Sequence, residues 1–334
     1  MPIITSSNYQ ATGIFKNGHL NTIFPTLFRR IKEVHYKRER VELPDGDFID
    51  LDWSRQSNRQ LVLVLHGLEG SSDSVYIRGM IRAFNRAGWD GVAMNFRSCS
   101  GDPNRKLKSY NMGASDDLKL IINHLKESTT YKKLVLIGSS LGGNVILKYL
   151  GEEGENAPNF IDRAITFSVP CDIPSTNEQL KKWYNQIYLK RFLKTLNDKF
   201  QEKLTQFPNQ IQFSGRRFRT FQDFDDNYTA PVHGYKNADE YWHRCSSKHF
   251  VSNIRVPTLL INALDDSFLG ADSYIYELAE KHPFFYLETP KHGGHVGFVD
   301  KNEEGLYWSE KRALSFVEEE VICTIAKNSE VAKP

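Results

Sequence analysis

A strand pattern, a glycine-rich turn and a helix pattern follow one another in KLVLIGSSLGGNVILKYL, residues 133–150. The apolar run at 133–137 is typical of a strand buried on both faces, and residues 141–150 predict a helix that ends at Gly151. Between them lies Gly138-Ser139-Ser140-Leu141-Gly142, a G-x-S-x-G pattern in the strand–turn–helix context that a nucleophile elbow requires. Only Ser140 has the glycine spacing of that motif. We therefore predict that Ser140 is a nucleophile; the alternative is a turn that only starts a helix.

Strands and helices alternate outward from this motif. Strands are predicted at residues 34–36, 48–53, 61–65, 91–96, 133–137, 164–169, 258–262 and 284–288. Helices are predicted at residues 74–87, 114–126, 141–150, 271–281 and 304–321. The first two strands bracket the turn Pro44-Asp45-Gly46 and should form an antiparallel meander. The later alternation predicts an α/β fold, with a mostly parallel central sheet and helices on both of its faces.

Residues 171–250 interrupt this alternation, because no convincing buried strand lies among them. Ser175 and Glu178 have the spacing of a capping box, with Ser175 as the N-cap. One amphipathic helix is then predicted from the apolar positions Leu180, Trp183, Ile187, Phe192, Leu196 and Phe200. We interpret residues 171–250 as a helical cap insertion, and residues 1–170 and 251–334 as the core that it covers.

A serine hydroxyl needs a base to become a nucleophile, and candidates follow the last two predicted strands. Asp265 and Asp266 come after the strand at 258–262, and His292 and His295 come after the strand at 284–288. Ligands bind at the carboxyl ends of parallel strands, and Ser…Asp…His is one chain order of the catalytic triad on such sheets. We assign His295 as the base, with His292 as the alternative. At this point the acid stays open between the two aspartates.

The loop after the strand at 61–65 reads His66-Gly67-Leu68-Glu69-Gly70. An oxyanion donor arises at this place on sheets of this kind, together with the backbone N–H that follows the nucleophile. The Leu68 and Leu141 N–H groups are therefore the predicted oxyanion hole. For His66 we favour a structural role over proton transfer.

Composition limits the partners and the location. The formal net charge of +2 gives no reason to expect a nucleic-acid partner. No apolar run is long enough for a membrane span, and residues 1–13 lack signal-peptide features, so a cytoplasmic protein is expected. The four cysteines (Cys99, Cys171, Cys245 and Cys323) are too scattered for a zinc site or a disulfide framework, and we expect no metal or other cofactor. The tail after Thr324 is expected to be disordered. The oligomeric state cannot be predicted.

Further motifs extend the pattern along the chain. They are Gly18-His19-Leu20-Asn21-Thr22, residues 95–104, Ser140-Leu141-Gly142-Gly143-Asn144, Phe224-Asp225-Asp226, Thr229-Ala230-Pro231, His233-Gly234-Tyr235, residues 262–266 and residues 293–298. In these motifs the sequence resembles the YheT-like family of α/β-hydrolases, which is related to esterases and lipases acting on acyl lipids. The resemblance implies the α/β-hydrolase fold, with Asp266 as the catalytic acid and His295 as the base.

Three positions depart from that family pattern. Ser98 replaces a usual glycine, Asn111 stands where a histidine usually follows the tyrosine, and Ser267 replaces a usual proline. None of them is a triad residue, so the expected chemistry is unaffected. Asn111 could alter the lip of the pocket.

The expected activity is hydrolysis of a small-molecule carboxylic ester with an apolar acyl chain. One alternative is an acyltransferase, in which an alcohol intercepts the acyl-enzyme, and another is a non-catalytic binding protein that kept the fold. His295 and Asp300 also have an H-x-x-x-x-D spacing known from acyltransferases, although a surface acid explains Asp300 as well. The basic run Arg29, Arg30, Lys32, Lys37, Arg38 and Arg40 could touch anionic lipid, but a charged edge strand is the preferred interpretation.

Overall fold

The computed structural model describes residues 3–210 and 215–319 and places their strands in one sheet. The strands are β1 (Ile3–Ile4), β2 (Lys37–Glu42), β3 (Phe48–Ser54), β4 (Gln60–Leu65), β5 (Asp90–Asn95), β6 (Lys133–Ser139), β7 (Ile161–Phe167), β8 (Thr258–Ile261) and β9 (Phe285–Glu288). They lie in the order β1-β9-β8-β7-β6-β4-β5-β3-β2. β3 pairs antiparallel with β2 and β5, and the other neighbouring pairs are parallel.

The helices are α1 (Gly18–Phe28), α2 (Val75–Arg86), α3 (Ser115–Ser128), α4 (Leu141–Glu153), α5 (Ile173–Lys181), α6 (Gln186–Gln206), α7 (Phe221–Phe224), α8 (Ala230–His233), α9 (Ala238–Cys245), α10 (Tyr276–Glu280) and α11 (Trp308–Glu318). Helices α3 and α4 pack on one face of this sheet and α2 and α11 on the other, whereas α5 to α9 fall within residues 171–250. A π-helical segment, Asp225–Thr229, joins α7 to α8.

The side chains of β4 show why the sheet needs helices on both sides. Leu61, Leu63 and Leu65 belong to an apolar cluster with α3 and α4, whereas Val62 and Val64 belong to a second cluster with α2 and α11. Because successive strand residues point to opposite faces, an unbroken apolar strand must be covered twice. The predicted α/β architecture is confirmed.

The opening strand lies later in the chain than the prediction at 34–36. The antiparallel meander itself is present, but its first strand is β2, in which Val41 is the buried residue. Val34 is buried in the core without being part of a strand. The apolar signal was misleading because β2 is an edge strand, and edge strands are protected by charged side chains.

Residues 171–250 contain no strand within their described part, as predicted, but their helices differ from the expectation. The N-cap of α5 is Asp172, whose side chain accepts from the Ser175 N–H, so the prediction of Ser175 as N-cap is wrong. The single predicted amphipathic helix is also wrong. Instead, the helical segment is interrupted between α5 and α6 by a 3-10 turn, Trp183–Asn185. This break leaves Trp183 and Ile187 exposed.

The predicted helix at 271–281 is likewise divided, into a 3-10 turn, Ala271–Ser273, and α10. The last predicted helix is shorter than expected and corresponds to α11. Cys323 and the tail after Thr324 lie outside the described residues. Within residues 3–210 and 215–319, no helix is both long and apolar enough to span a bilayer.

Candidate active site

Ser140 occupies the sharp turn between β6 and α4, with φ 54° and ψ −120°. This conformation is strained for a residue with a Cβ, and such strain occurs where a turn must hold a functional side chain in place. The flanking glycines are required by close contacts. A Cβ at Gly138 would lie 2.6 Å from the Gly142 carbonyl carbon, and one at Gly142 would lie 2.6 Å from the His66 oxygen. The close packing of the turn against the start of α4 and against the end of β4 therefore explains the G-x-S-x-G spacing.

Asp266 and His295 form a hydrogen-bonded pair beyond the ends of β8 and β9. Asp266 Oδ2 lies 2.8 Å from His295 Nδ1, and the Phe268 N–H donates to Asp266 Oδ1 at 3.0 Å. The Asp266 carboxylate is buried, whereas His295 lines the same two cavities as Ser140. With Nδ1 engaged, Nε2 is the ring nitrogen left to accept a proton.

Two residues that the sequence analysis missed hold His295 in place. The Phe268 ring stacks on the imidazole, with 4.2 Å between ring centroids. Thr22 Oγ1 accepts from the His295 N–H at 2.8 Å and donates to the Gly18 oxygen at 2.7 Å. Helix α1, which was not predicted, therefore supports the histidine loop. The motif Gly18-His19-Leu20-Asn21-Thr22 was the available signal for it.

Asp265 and His292 form a separate pair. Asp265 Oδ2 lies 3.3 Å from His292 Nδ1, and Asp265 Oδ1 accepts from the Gly294 N–H at 2.8 Å. Burial raises the pKa of Asp265. Neither residue lines the cavities that Ser140 and His295 share. Through these two contacts Asp265 stabilises the loop that contains His292 and Gly294.

Leu68 and Leu141 lie in the two turns that meet beside Ser140. A Cβ at Gly67 would lie 3.1 Å from the Ser140 Cβ, so the loop after β4 passes directly over the serine. Leu68 is in the turn closed by the Gly70 N–H and the Gly67 oxygen, and Leu141 is the first residue of α4. Within the described part of the chain, neither backbone N–H donates to a protein acceptor. Both groups remain available for an oxyanion.

Glu69 connects this loop to α6. Its N–H donates to the Tyr110 hydroxyl at 2.9 Å, and its carboxylate accepts from the same hydroxyl at 2.6 Å. Lys199 Nζ, on α6, lies 3.0 Å from the Glu69 carboxylate. Because the pair is largely buried, it links the position of α6 to the loop that carries Leu68.

His66 stabilises the same loop. Its Nδ1 lies 2.7 Å from the Gly67 oxygen, and its Nε2 accepts from the Phe96 N–H at 3.2 Å. Burial lowers the pKa of His66 to about 4, so the ring is neutral near pH 7. These contacts give His66 the structural role that we favoured from the sequence.

A cavity of about 130 Å³, here called the inner cavity, opens beside Ser140 and His295. Its walls are mainly apolar, and α5 and α6 contribute many of the side chains. Among these are Ile173, Leu180, Phe192, Leu196 and Phe200, with Phe221, Phe224 and Tyr228 from the segment that follows. An apolar chain bound there would be removed from water.

A second cavity of about 680 Å³, here called the α1 groove, also reaches Ser140 and His295. It lies between α1, the loop after β4 and α6, and its lining includes Leu27, Arg191 and Thr195. The serine thus has access to two differently lined spaces. In residues 3–210 and 215–319 no group of three or more His, Cys, Asp or Glu side chains is arranged to hold a metal ion.

Comparison with known proteins gives the family. A family model described as the alpha/beta hydrolase fold matches residues 60–302. The chain belongs to the α/β-hydrolase family. The matched span contains β4 to β9, the elbow at Ser140 and both Asp–His pairs, and the predicted fold is confirmed.

Individual relatives agree with this assignment. YheT of Escherichia coli (strain K12) is 35% identical over 293 residues, 85% of each chain, which confirms the predicted YheT-like resemblance. The mouse phospholipase ABHD3 is 27% identical over 310 residues, 90% of this chain and 75% of that protein. The Pyrococcus furiosus esterase Pf2001 shares the fold, with a TM-score of 0.58 at 18% identity, over 85% of this chain and 90% of the esterase. An esterase- or lipase-type hydrolase is thus confirmed at the level of the family.

The three departures from the YheT-like pattern each have a structural setting in this hydrolase. Ser98 has φ 62°, a conformation that favours the usual glycine, and its N–H donates to Asn104 Oδ1. Asn111 lines the inner cavity, and its Nδ2 lies 3.1 Å from His233 Nδ1. Ser267 Oγ donates to Asn185 Oδ1 at 2.9 Å, which connects the Asp266 loop to the 3-10 turn between α5 and α6.

Two weaker sequence signals have ordinary explanations in the α/β-hydrolase fold. Asp300 forms an ion pair with Lys311 at 2.9 Å, as a surface acid would. In the basic run, Arg38 pairs with Asp52 and Arg40 pairs with Asp50, both at 2.8 Å. These pairs support the interpretation of β2 as a charged edge strand.

Asp225 is a half-buried acid that lines the inner cavity and has a strongly shifted pKa. Burial raises its pKa to about 7, and Trp242 Nε1 donates to its Oδ2 at 2.7 Å. An unfolded chain ionises the same carboxyl near pH 3.9. Between these values the folded state therefore binds more protons than the unfolded state, so this group makes stability fall as pH rises from about 4 to 7.

We predict that Asp225→Asn stabilises the protein at pH 8 by about 2–4 kcal/mol and has little effect near pH 4. Asparagine keeps the acceptor for Trp242 but has no charge to bury. Urea unfolding at the two pH values measures the difference, with Asp239→Asn, at an exposed acid on α9, as the control. Equal effects at both pH values would contradict the prediction.

Proposed function

We propose that this protein hydrolyses carboxylic esters with an apolar acyl chain through a Ser140–His295–Asp266 triad. The observation that carries the proposal is the meeting of Ser140, at its strained elbow, and the Asp266–His295 pair on one cavity. Residues 171–250 act in this proposal as a cap over the site. Membership in the hydrolase family supports the same chemistry.

In the first step, Ser140 Oγ attacks the ester carbonyl while its proton passes to His295 Nε2. The carbonyl π electrons move to the oxygen, where the Leu68 and Leu141 N–H groups donate hydrogen bonds to the developing charge. Asp266 fixes the tautomer of His295 and stabilises the imidazolium. The tetrahedral intermediate then collapses, and the leaving alcohol takes the proton from His295. The product is an ester on Ser140.

Water completes the reaction. His295 Nε2 accepts a proton from water as the water oxygen attacks the acyl-Ser140 carbonyl, and the same oxyanion donors are used again. Collapse releases the carboxylic acid, and Ser140 Oγ recovers its proton from His295. Each N–H donor is worth about 2.7–4 kcal/mol of transition-state stabilisation in comparable enzymes.

The inner cavity is the proposed acyl site because its lining is mainly apolar. We predict that kcat/KM rises from acetyl to medium-chain p-nitrophenyl esters, by up to about fourfold per methylene, since burying a methylene is worth about 0.8 kcal/mol. A chain-length series measures this rise. A flat profile, or a fall beyond acetyl, would mean that the cavity does not bind the acyl chain.

A matched pair of variants tests the location of the chain. Leu196 and Lys194 lie on opposite faces of α6, with Leu196 lining the inner cavity and Lys194 exposed. Leu196→Trp should shift the optimum to shorter chains, whereas Lys194→Trp should leave the profile unchanged. Identical profiles for the two variants would place the acyl chain elsewhere.

Transfer of the acyl group to an alcohol is the second candidate function, because the α1 groove gives another molecule a separate route to Ser140. Product analysis with added ethanol distinguishes the two reactions. Hydrolysis yields mainly the free acid, whereas a transferase yields mainly the ethyl ester. A protein that neither reacts with a fluorophosphonate nor cleaves any ester of the series would instead be a binding protein.

A further inference from the structure

Helix α1 leaves an apolar stripe uncovered at the edge of the α1 groove. Leu20, Leu27 and Phe28 are 44%, 53% and 67% exposed. Phe24 completes the stripe, with its ring centroid 5.0 Å from that of Phe28. The spacing 20, 24, 27, 28 places these residues on one helix face. A contiguous apolar face of this kind is a mark of an interaction site.

A second exposed stripe begins in the 3-10 turn after α5 and continues along α6. Trp183 and Ile187 are 85% and 66% exposed. Lys190, Arg191 and Lys194 follow Ile187 at helical spacing and are exposed as well. In the described part of the chain none of these three cations has a carboxylate within 4.0 Å, whereas Lys181 and Lys199, nearby, are both paired.

Each stripe reaches the α1 groove through one of its residues. Leu27 of α1 and Arg191 of α6 both line it. Near the start of α1, His19 Nδ1 lies 3.1 Å from the Tyr188 hydroxyl, and the two rings stack. Because α1 and α6 meet at this contact, we treat the two stripes as one surface beside the groove, which we call the rim: Leu20, Phe24, Leu27, Phe28, Trp183, Ile187, Lys190, Arg191 and Lys194.

We propose that the rim docks on the surface of an anionic lipid bilayer, with the α1 groove facing the lipid. Exposed apolar and aromatic side chains enter the boundary between headgroups and acyl chains, and unpaired cations are attracted to anionic headgroups. A symmetric contact with a second copy fits less well, because it would bring two cationic stripes together. This binding does not depend on the proposed function. If that function holds, lipid esters reach Ser140 through the groove.

The test is co-flotation of the Ser140→Ala protein, which leaves the lipid intact, with vesicles. We expect binding to phosphatidylcholine vesicles that contain one quarter phosphatidylglycerol, and weaker binding to pure phosphatidylcholine or in high salt. Lys190→Glu/Lys194→Glu should weaken the partition on the order of tenfold or more. Trp183→Ser/Ile187→Ser should also weaken it. In the protein with Ser140 intact, both pairs should leave cleavage of a water-soluble short-chain ester unchanged.

Lys126→Glu/Lys132→Glu is the matched control, since these exposed lysines lie near the amino end of β6, at the opposite edge of the sheet from Ser140. An equal loss of binding in this control would show that only the net charge of the protein matters, and it would overturn the proposal. Failure of the unsubstituted rim to bind anionic vesicles would overturn it too. A dimer in sedimentation, dissociated by Trp183→Ser/Ile187→Ser, would assign the rim to a second copy of the chain instead.

Discussion

Replacing Ser140 by alanine is expected to abolish covalent labelling by a fluorophosphonate and to lower kcat for a p-nitrophenyl ester by roughly five to six orders of magnitude. The reason is the loss of the only nucleophile that the proposed mechanism uses. The oxyanion donors and the apolar cavity remain in the variant, so a small residual rate is expected. Intact-protein mass spectrometry measures the labelling, and steady-state kinetics measures the rate.

Ser139→Ala is the matched control for this experiment. Ser139 is the adjacent hydroxyl, but it is the last residue of β6, is buried and lines neither of the cavities that Ser140 shares with His295. Most of the labelling and activity should survive its removal. Labelling that persists in a folded Ser140→Ala variant would remove the central claim of the proposed mechanism.

The parallel part of the sheet could be predicted from sequence because its strands are apolar on both faces. In β4 and β6 every residue after the first is buried, and this pattern differs clearly from that of the amphipathic helices. The elbow was predictable for a related reason. A Cβ at either flanking glycine would lie under 3 Å from backbone atoms, so the local geometry requires the glycines of the motif.

The edges of the structure were harder to predict. In β2, Arg38 and Arg40 form ion pairs with the acids of β3. Because charged side chains occupy these positions, β2 lacks the apolar alternation by which a strand is recognised in a sequence. The break between α5 and α6 was hidden because Trp183 and Ile187 continue the helical apolar spacing although neither is buried. Hydrophobic periodicity indicates which residues share a face, but it does not say whether that face is covered.

In the site, spacing alone could not choose between the two aspartates, and the choice of Asp266 came from the resemblance. The structure adds a physical distinction. Asp266 pairs with the histidine that lines both cavities, whereas Asp265 binds His292 and the Gly294 N–H. The contacts of Phe268 and Thr22 with His295 could not be assigned from sequence, because each of them joins segments that are distant in the chain.

His295→Ala is predicted to lower kcat by roughly five to six orders of magnitude, about as much as the loss of Ser140, whereas His292→Ala should cost far less. His295 is the base that activates both Ser140 and water, while His292 lies outside the two cavities. Kinetics on a short-chain ester compare the variants, and thermal unfolding verifies that both are folded. Similar losses for the two histidines would contradict the assignment.

The pairing of Asp266 with His295 predicts how substitutions of the two residues combine. If the carboxylate acts only by fixing the tautomer and charge of His295, Asp266→Asn should lower kcat strongly in the intact protein, by about four orders of magnitude. Added to His295→Ala, it should cost little more, because residues that act as one unit are not additive. Asp265→Asn serves as the matched control and should have a small effect in either background. A full additive loss for Asp266→Asn without His295 would show that the acid acts on something other than this histidine.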